Sequence, residues 1–141
     1  MTRHYVVRAL EADLDVAQAL NDRGEVVGGR WSPAGRRAVK CSPGDCRDIG
    51  SLGGSYSMAH GVNNQGEVVG RALTSGDHAS HGFLATEATL VDLNRCIVPG
   101  QGWEILDAMD INDRGQILCL ASRAGRDHLV ILEPDTCVQE R

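Results

Sequence analysis

Ala17-Gln18-Ala19-Leu20-Asn21-Asp22-Arg23-Gly24-Glu25-Val26-Val27-Gly28 returns twice along the chain. It recurs as Ala59-His60-Gly61-Val62-Asn63-Asn64-Gln65-Gly66-Glu67-Val68-Val69-Gly70 and as Ala108-Met109-Asp110-Ile111-Asn112-Asp113-Arg114-Gly115-Gln116-Ile117-Leu118-Cys119. The shared pattern is Ala, two free positions, an aliphatic, Asn, two polar residues, Gly, Glu or Gln, then two aliphatics. Asn21, Asn63 and Asn112 lie 42 and 49 positions apart, a period that marks a tandem repeat architecture. An Asn that opens a turn accepts a hydrogen bond from the backbone two residues on. A Gly three residues later supplies the left-handed conformation that closes a bulged hairpin. Hairpin turns are therefore expected at Asn21–Gly24, Asn63–Gly66 and Asn112–Gly115, between short antiparallel aliphatic strands.

A third strand follows each hairpin, at Arg37-Ala38-Val39-Lys40-Cys41, His81-Gly82-Phe83-Leu84-Ala85 and His128-Leu129-Val130-Ile131-Leu132. Fourth strands follow in the first two copies, around Arg47-Asp48-Ile49 and Leu90-Val91-Asp92-Leu93. The third copy lacks one. Tyr5-Val6-Val7-Arg8-Ala9-Leu10 precedes the first hairpin as Leu90–Leu93 precedes the third, so residues 5–10 are expected to complete the last sheet beside residues 128–132 and remove its exposed edge. The expected fold is all-β: three tandem four-stranded antiparallel repeats in a propeller-like or prism-like arrangement. It forms one domain over 1–141, with repeats at about 11–54, 55–98 and 99–135.

Composition agrees. Seventeen Gly among 141 residues call for many tight turns, and five aromatic residues leave the core to Val, Leu, Ile and Ala. A net charge of −5 argues against general nucleic-acid binding. The N-terminus reads as neither signal peptide nor membrane span, which places the chain in the cytoplasm with its five cysteines as thiols. Cys41-Ser42-Pro43-Gly44-Asp45-Cys46 would close a small disulfide only in an oxidising environment.

The repeats resemble the HAF repeats, a bacterial family whose third strand often reads His-Ala-Phe. Arg37-Ala38-Val39, His81-Gly82-Phe83 and His128-Leu129-Val130 stand at that position, and Asp48-Ile49-Gly50-Ser51-Leu52-Gly53-Gly54 is similar to the family's Asp-Leu-Gly-Thr-Leu-Gly-Gly linker. Asp92-Leu93-Asn94 through Pro99-Gly100-Gln101-Gly102-Trp103 to Asn112–Ile117 resembles the last repeat of such proteins. The resemblance implies a propeller-like β architecture and brings no catalytic or binding residues with it.

The candidate contact residues are Arg36, Arg37, Lys40, His60, His78, His81, Trp103 and Asp110. Arg36, Arg37 and Lys40 stand in the basic stretch of the first repeat, suited to a carboxylate or phosphate partner. His78 and His81 stand beside Asp77, a weak metal pattern that a structural hydrogen-bonding role for His81 outweighs. His60 and Asp110 occupy neighbouring positions of equivalent strands and would face each other if those strands meet. Trp103 follows the longest connection between repeats, where an aromatic serves as a binding anchor or as inter-sheet packing. No nucleophile has a local base and acid, and no Gly-rich phosphate loop is present, so no cofactor and no metal are expected. The expected function is a non-catalytic module binding a protein partner through loops at one end of the repeats. The alternative is a small propeller-type enzyme, a lyase or hydrolase, with loop His, Asp and Arg converging. Three blades are fewer than a propeller normally has, so a homodimer joined as a six-bladed ring stands beside the closed monomeric prism.

Overall fold

The computed structural model describes residues 2–135, and its regular structure is almost entirely β. The first sheet joins β1 (Val16–Leu20), β2 (Val26–Ser32), β3 (Gly35–Ser42) and β4 (Asp45–Gly50) in chain order. The second joins β5 (Gly53–Val62), β6 (Val68–Thr74), β7 (Ser80–Ala85) and β8 (Leu90–Asp92). The third holds β9 (Glu104–Ile111), β10 (Ile117–Arg123) and β11 (Arg126–Leu132). All pairings are antiparallel between named strands, and the only helical pieces among the described residues are single 3-10 turns at Ser75–Asp77 and Leu93–Arg95. None is long and apolar enough to cross a membrane.

The three hairpin turns form where the repeat places them. Asn21 Oδ1 accepts from the backbone N–H of Arg23 and of Glu25, each at 3.0 Å, and Asn63 and Asn112 repeat the pattern. Gly24, Gly66 and Gly115 close the turns at φ +77°, +81° and +81°, a region that disfavours any Cβ. The acid or amide after each Gly steadies the turn in turn. Glu25, Glu67 and Gln116 accept from the Asn side-chain amide at 2.7–2.8 Å. Gly28 and Gly70 answer a second constraint. A bulge in the preceding strand brings Val16 O and Met58 O to 1.8 and 2.0 Å from where their Cβ atoms would stand.

The N-terminal closing strand does not form. Residues 2–12 contain no strand, and Tyr5, Val6, Val7 and Leu10 are exposed. Among the described residues the third sheet therefore has three strands, and β11 is an open edge. The reason is where the chain is tied. Asp15 N–H donates to Gly29 O at 3.0 Å, Asp13 pairs with Arg30 at 2.8 Å, and Asp15 pairs with Arg36 at 3.2 Å. Residues 13–15 are thus fixed to the first sheet, two sheets away from β11.

Two apolar layers hold the sheets together. Val27 and Ala38 of the first sheet meet Ala59, Val68, Ala72 and Phe83 of the second. Val69 and Leu93 of the second-repeat segment meet Ile105, Ala108, Ile117 and Cys119 of the third sheet. The neighbours Val68 and Val69 point to opposite faces, so the second sheet is covered on both sides. Burying Phe83 completely contributes roughly 2–3 kcal/mol.

The turns are also joined to one another. Asn21 Nδ2 donates to Asn63 O at 2.9 Å, and Asn63 Nδ2 donates to Asn112 O at 3.1 Å. Beside this run, Asp22 N–H donates to Asn64 Oδ1 and Asn64 N–H to Asp113 Oδ1, both at 2.7 Å. Among the described residues Asn112 Nδ2 reaches only Gln116, so the ladder ends there. Removing Asn63 should cost roughly 2–4 kcal/mol, because a buried link between sheets goes with the turn bonds. Asn112→Ala, which within one chain breaks turn bonds alone, should cost about half as much in dilute, monomeric protein. Urea denaturation of the two variants checks this, and equal losses would mean the inter-turn bonds contribute nothing.

Candidate functional site

The basic residues of the first repeat are engaged inside the fold. Lys40, expected on a contact surface, is only 3% exposed. Its Nζ donates to Gly66 O at 3.0 Å and to Glu87 at 2.9 Å, with Glu25 at 3.5 Å. This ammonium bolts the first sheet to the second. Burial opposes ionisation of Glu25, yet its bond from Asn21 and the nearby Lys40 and Arg23 hold its carboxyl below the usual range. Arg36 pairs with Asp15 and lies 4.6 Å over the Trp31 ring, while Arg37 donates to Gly54 O at 3.4 Å. Arg30 is held between Asp13 and Asp48.

The three candidate histidines occupy different settings. His81 Nδ1 meets Asp92 at 2.7 Å and its Nε2 meets Glu104 at 3.0 Å, so the ring clamps β7 between β8 and the start of β9. Burial lowers its pKa, but hydrogen bonds and charge from Asp92 and Glu104 prevail and raise it. His78 is exposed, and both oxygens of neighbouring Asp77 accept from Ser55, at 2.7 and 2.6 Å. Those bonds hold the Asp77 carboxyl below its ordinary range. His60 and Asp110 do share one pocket, of about 490 Å³, where β1, β5 and β9 converge. The direct neighbour of His60 is nevertheless Asp107, 3.3 Å from Nε2. That approach lies off the hydrogen-bonding direction and leaves Asp107 Oδ1 buried without a hydrogen bond.

A concave apolar surface lies at the open side of the third sheet. A groove of about 760 Å³ runs between the second and third sheets, lined by Leu84, Leu93, Trp103, Ile117, Val130 and Leu132. Trp103 is held by an edge-on contact with His128, centroids 5.3 Å apart, and by Arg123 at 5.0 Å over its ring. The matching gap between the first two sheets is closed by Leu90 of β8, opposite Ala85, which packs on the first core layer. Among the described residues the third sheet has no fourth strand to supply such a residue, and its groove stays open.

Cys41 and Cys46, expected as thiols, are joined by a disulfide across the β3–β4 hairpin, where they are directly opposed. Cys96 and Cys119 are free, and burial pushes the Cys119 thiol up to about 12. Cys137 lies outside the described residues. Sequence reasoning placed Trp103 and the His60–Asp110 juxtaposition but missed Asp107, Asp92 and Glu104, since strand bulges and sheet packing decide those meetings. The groove had one signal, the absent fourth strand. No family model, curated protein or solved structure matches the chain.

The His81 clamp has a pH signature. A histidine whose folded pKa is raised stabilises the fold fully below its unfolded value, about 6.5, and loses that contribution as pH rises through the folded value. Stability should therefore fall as pH rises above about 6.5, and level off once the folded chain's ring has lost its proton. His81→Gln should flatten that segment of the profile, read by urea denaturation at each pH. An unchanged slope in the variant would assign the effect elsewhere.

Proposed function

We propose that the chain is a non-catalytic binding module that takes an extended polypeptide segment along β11 and into the Trp103 groove. One observation carries the reading: among the described residues the third sheet offers an unpaired strand edge and an apolar groove in the same place. An added strand satisfies the edge by main-chain hydrogen bonds, and alternate side chains fill the groove; this is strand addition to an exposed sheet edge. The contact surface is therefore at the incomplete repeat, and the first-repeat Arg36, Arg37 and Lys40 serve internal packing. The arrangement of repeats is propeller-like, in line with the resemblance to HAF repeats.

The enzyme alternative needs His60, His78, His81, Asp110 and Arg37 in one cavity, and only His60 and Asp110 line the same one. Its best support is the unsatisfied Asp107 Oδ1 beside His60. A ligand there would be small and polar, unlike the polypeptide that the groove accommodates.

The test uses ten-residue peptides of alternating aliphatic and polar residues, titrated into a Trp31→Phe variant so that Trp103 is the only indole. A saturable change in emission with slowed amide exchange along β11 is expected, and Leu132→Glu should abolish it. Peptides that leave both readouts unmoved in the monomeric chain would overturn the reading.

A further inference from the structure

The third sheet is unfinished on a face as well as at an edge. Ile117 and Cys119 face the second sheet, so Leu118 and Leu120 face away from it. Across the β10–β11 pair, Leu118 opposes Ile131 and Leu120 opposes Leu129, which puts Leu118, Leu120, Leu129 and Ile131 on one outward face. The repeat shows what such a face does elsewhere. Leu118 stands where Val27 and Val69 stand in the other copies, and those two are 0% exposed against the following sheet, whereas Leu118 is 41% exposed. Leu129 matches Ala38 in register; Ala38 is 0% exposed and Leu129 is 72% exposed. The third sheet thus carries the residues of a sheet that has a successor.

The turn ladder gives the same answer with hydrogen bonds. Each turn donates to the next through its Asn amide and through the N–H one residue on. Among the described residues no following turn accepts from Asn112 Nδ2 or Asp113 N–H, and no preceding turn donates to Asn21 O or Asp22 Oδ1. The free ends are complementary: two donors at one, two acceptors at the other.

The N-terminal segment leaves from the face of the first sheet where a preceding sheet would stand. Val27 faces the second sheet, and Arg30, three residues on in the same strand, lies on the other face, where it holds Asp13. From Asp13 back to Leu10 the chain spans at most about 10 Å, while two sheet spacings are about 20 Å. Its own β11 is out of reach. Tyr5, Val6 and Val7 nevertheless form an apolar segment of strand-forming residues, with Val6 97% exposed.

We infer that two copies of this chain close head to tail into a six-sheet ring, each lending residues 5–10 as the fourth strand of the other's third sheet. The inference rests on the strand-addition reading above and names its occupant. Residues 5–10 pair along the partner copy's β11 and drop alternate side chains into its groove. The first sheet covers the partner's Leu118, Leu120, Leu129 and Ile131, and the turn ladder runs on from Asn112 to the partner copy's first turn. Two such junctions related by a two-fold axis leave no open end. The closing rung differs from the internal ones in one respect. Asn64 bridges the carboxylates of Asp22 and Asp113 within a chain, at 2.9 and 2.7 Å, but the junction sets Asp113 beside a second Asp22 carboxylate.

Light scattering over a hundredfold dilution of the full chain reads the assembly. The expected mass is twice 15.1 kDa. Deletion of residues 1–10, and separately Leu129→Glu with Ile131→Glu at exposed positions, should return the monomer while circular dichroism stays β. Asp22→Asn should tighten the dimer about tenfold by removing the like charge. A dimer that survives both the deletion and the double substitution would overturn the inference, as would a series of masses growing beyond two copies. A chain monomeric throughout, whose groove still takes aliphatic peptides, would overturn it and leave the strand-addition reading standing. A monomer that takes no peptide would overturn both.

Discussion

The side-chain amide of the turn asparagine is the interaction on which the rest of the structure depends. With its oxygen Asn21 holds two backbone N–H groups of its own turn, and with its nitrogen it reaches both Glu25 and the carbonyl of Asn63. One residue type therefore shapes a hairpin and sets the spacing to the next. Aspartate would lack the donor, and serine would be too short to serve both ends. Because Asn63 does the same toward Asn112, the three hairpins stand in register and their first strands converge. Val27 and Ala38 then lie where Phe83 and Val68 can cover them, and Val69 lies where Ile105 and Ile117 can.

That register gives the sheets unequal fates. The second is apolar on both faces and covered on both. The first turns a polar face outward, where Arg30 is paired with both Asp13 and Asp48. The third turns Leu118, Leu129 and Ile131 outward and, among the described residues, ends at an unpaired strand. Charged groups that read as a contact surface, Lys40 above all, instead join sheets at the rim. The apolar groups left exposed gather at the incomplete repeat, and chemical interest shifts from the first repeat to the last.

The strands and turns were legible because their determinants are local. Asn, Gly and alternating aliphatics specify a hairpin wherever they occur, and all three turns formed on the expected residues. The fourth strand of the third sheet failed because its partner was assigned by analogy of order, without regard to where residues 13–15 are tied. Trp103 was legible as an aromatic on a long connection, but the groove it lines required the packing of two sheets. Lys40 was misplaced for a similar reason: Arg36, Arg37 and Lys40 look alike in a basic run, and strand alternation together with the facing sheet decides that Lys40 alone is buried. His81 kept its structural role, yet Asp92 and Glu104 come from other strands and gave no local signal.

The most direct test of the turn ladder is residue-resolved amide hydrogen exchange at Asp22, Asn64 and Asp113. These three N–H groups occupy the same position in successive turns and differ only in whether a following turn accepts from them. Slow exchange is expected at Asp22 and Asn64 at every protein concentration. Asp113 should exchange fast in dilute solution and slowly once the chains pair. Fast exchange at Asp22 and Asn64, or an Asp113 amide that stays fast in a solution of dimers, would contradict the ladder.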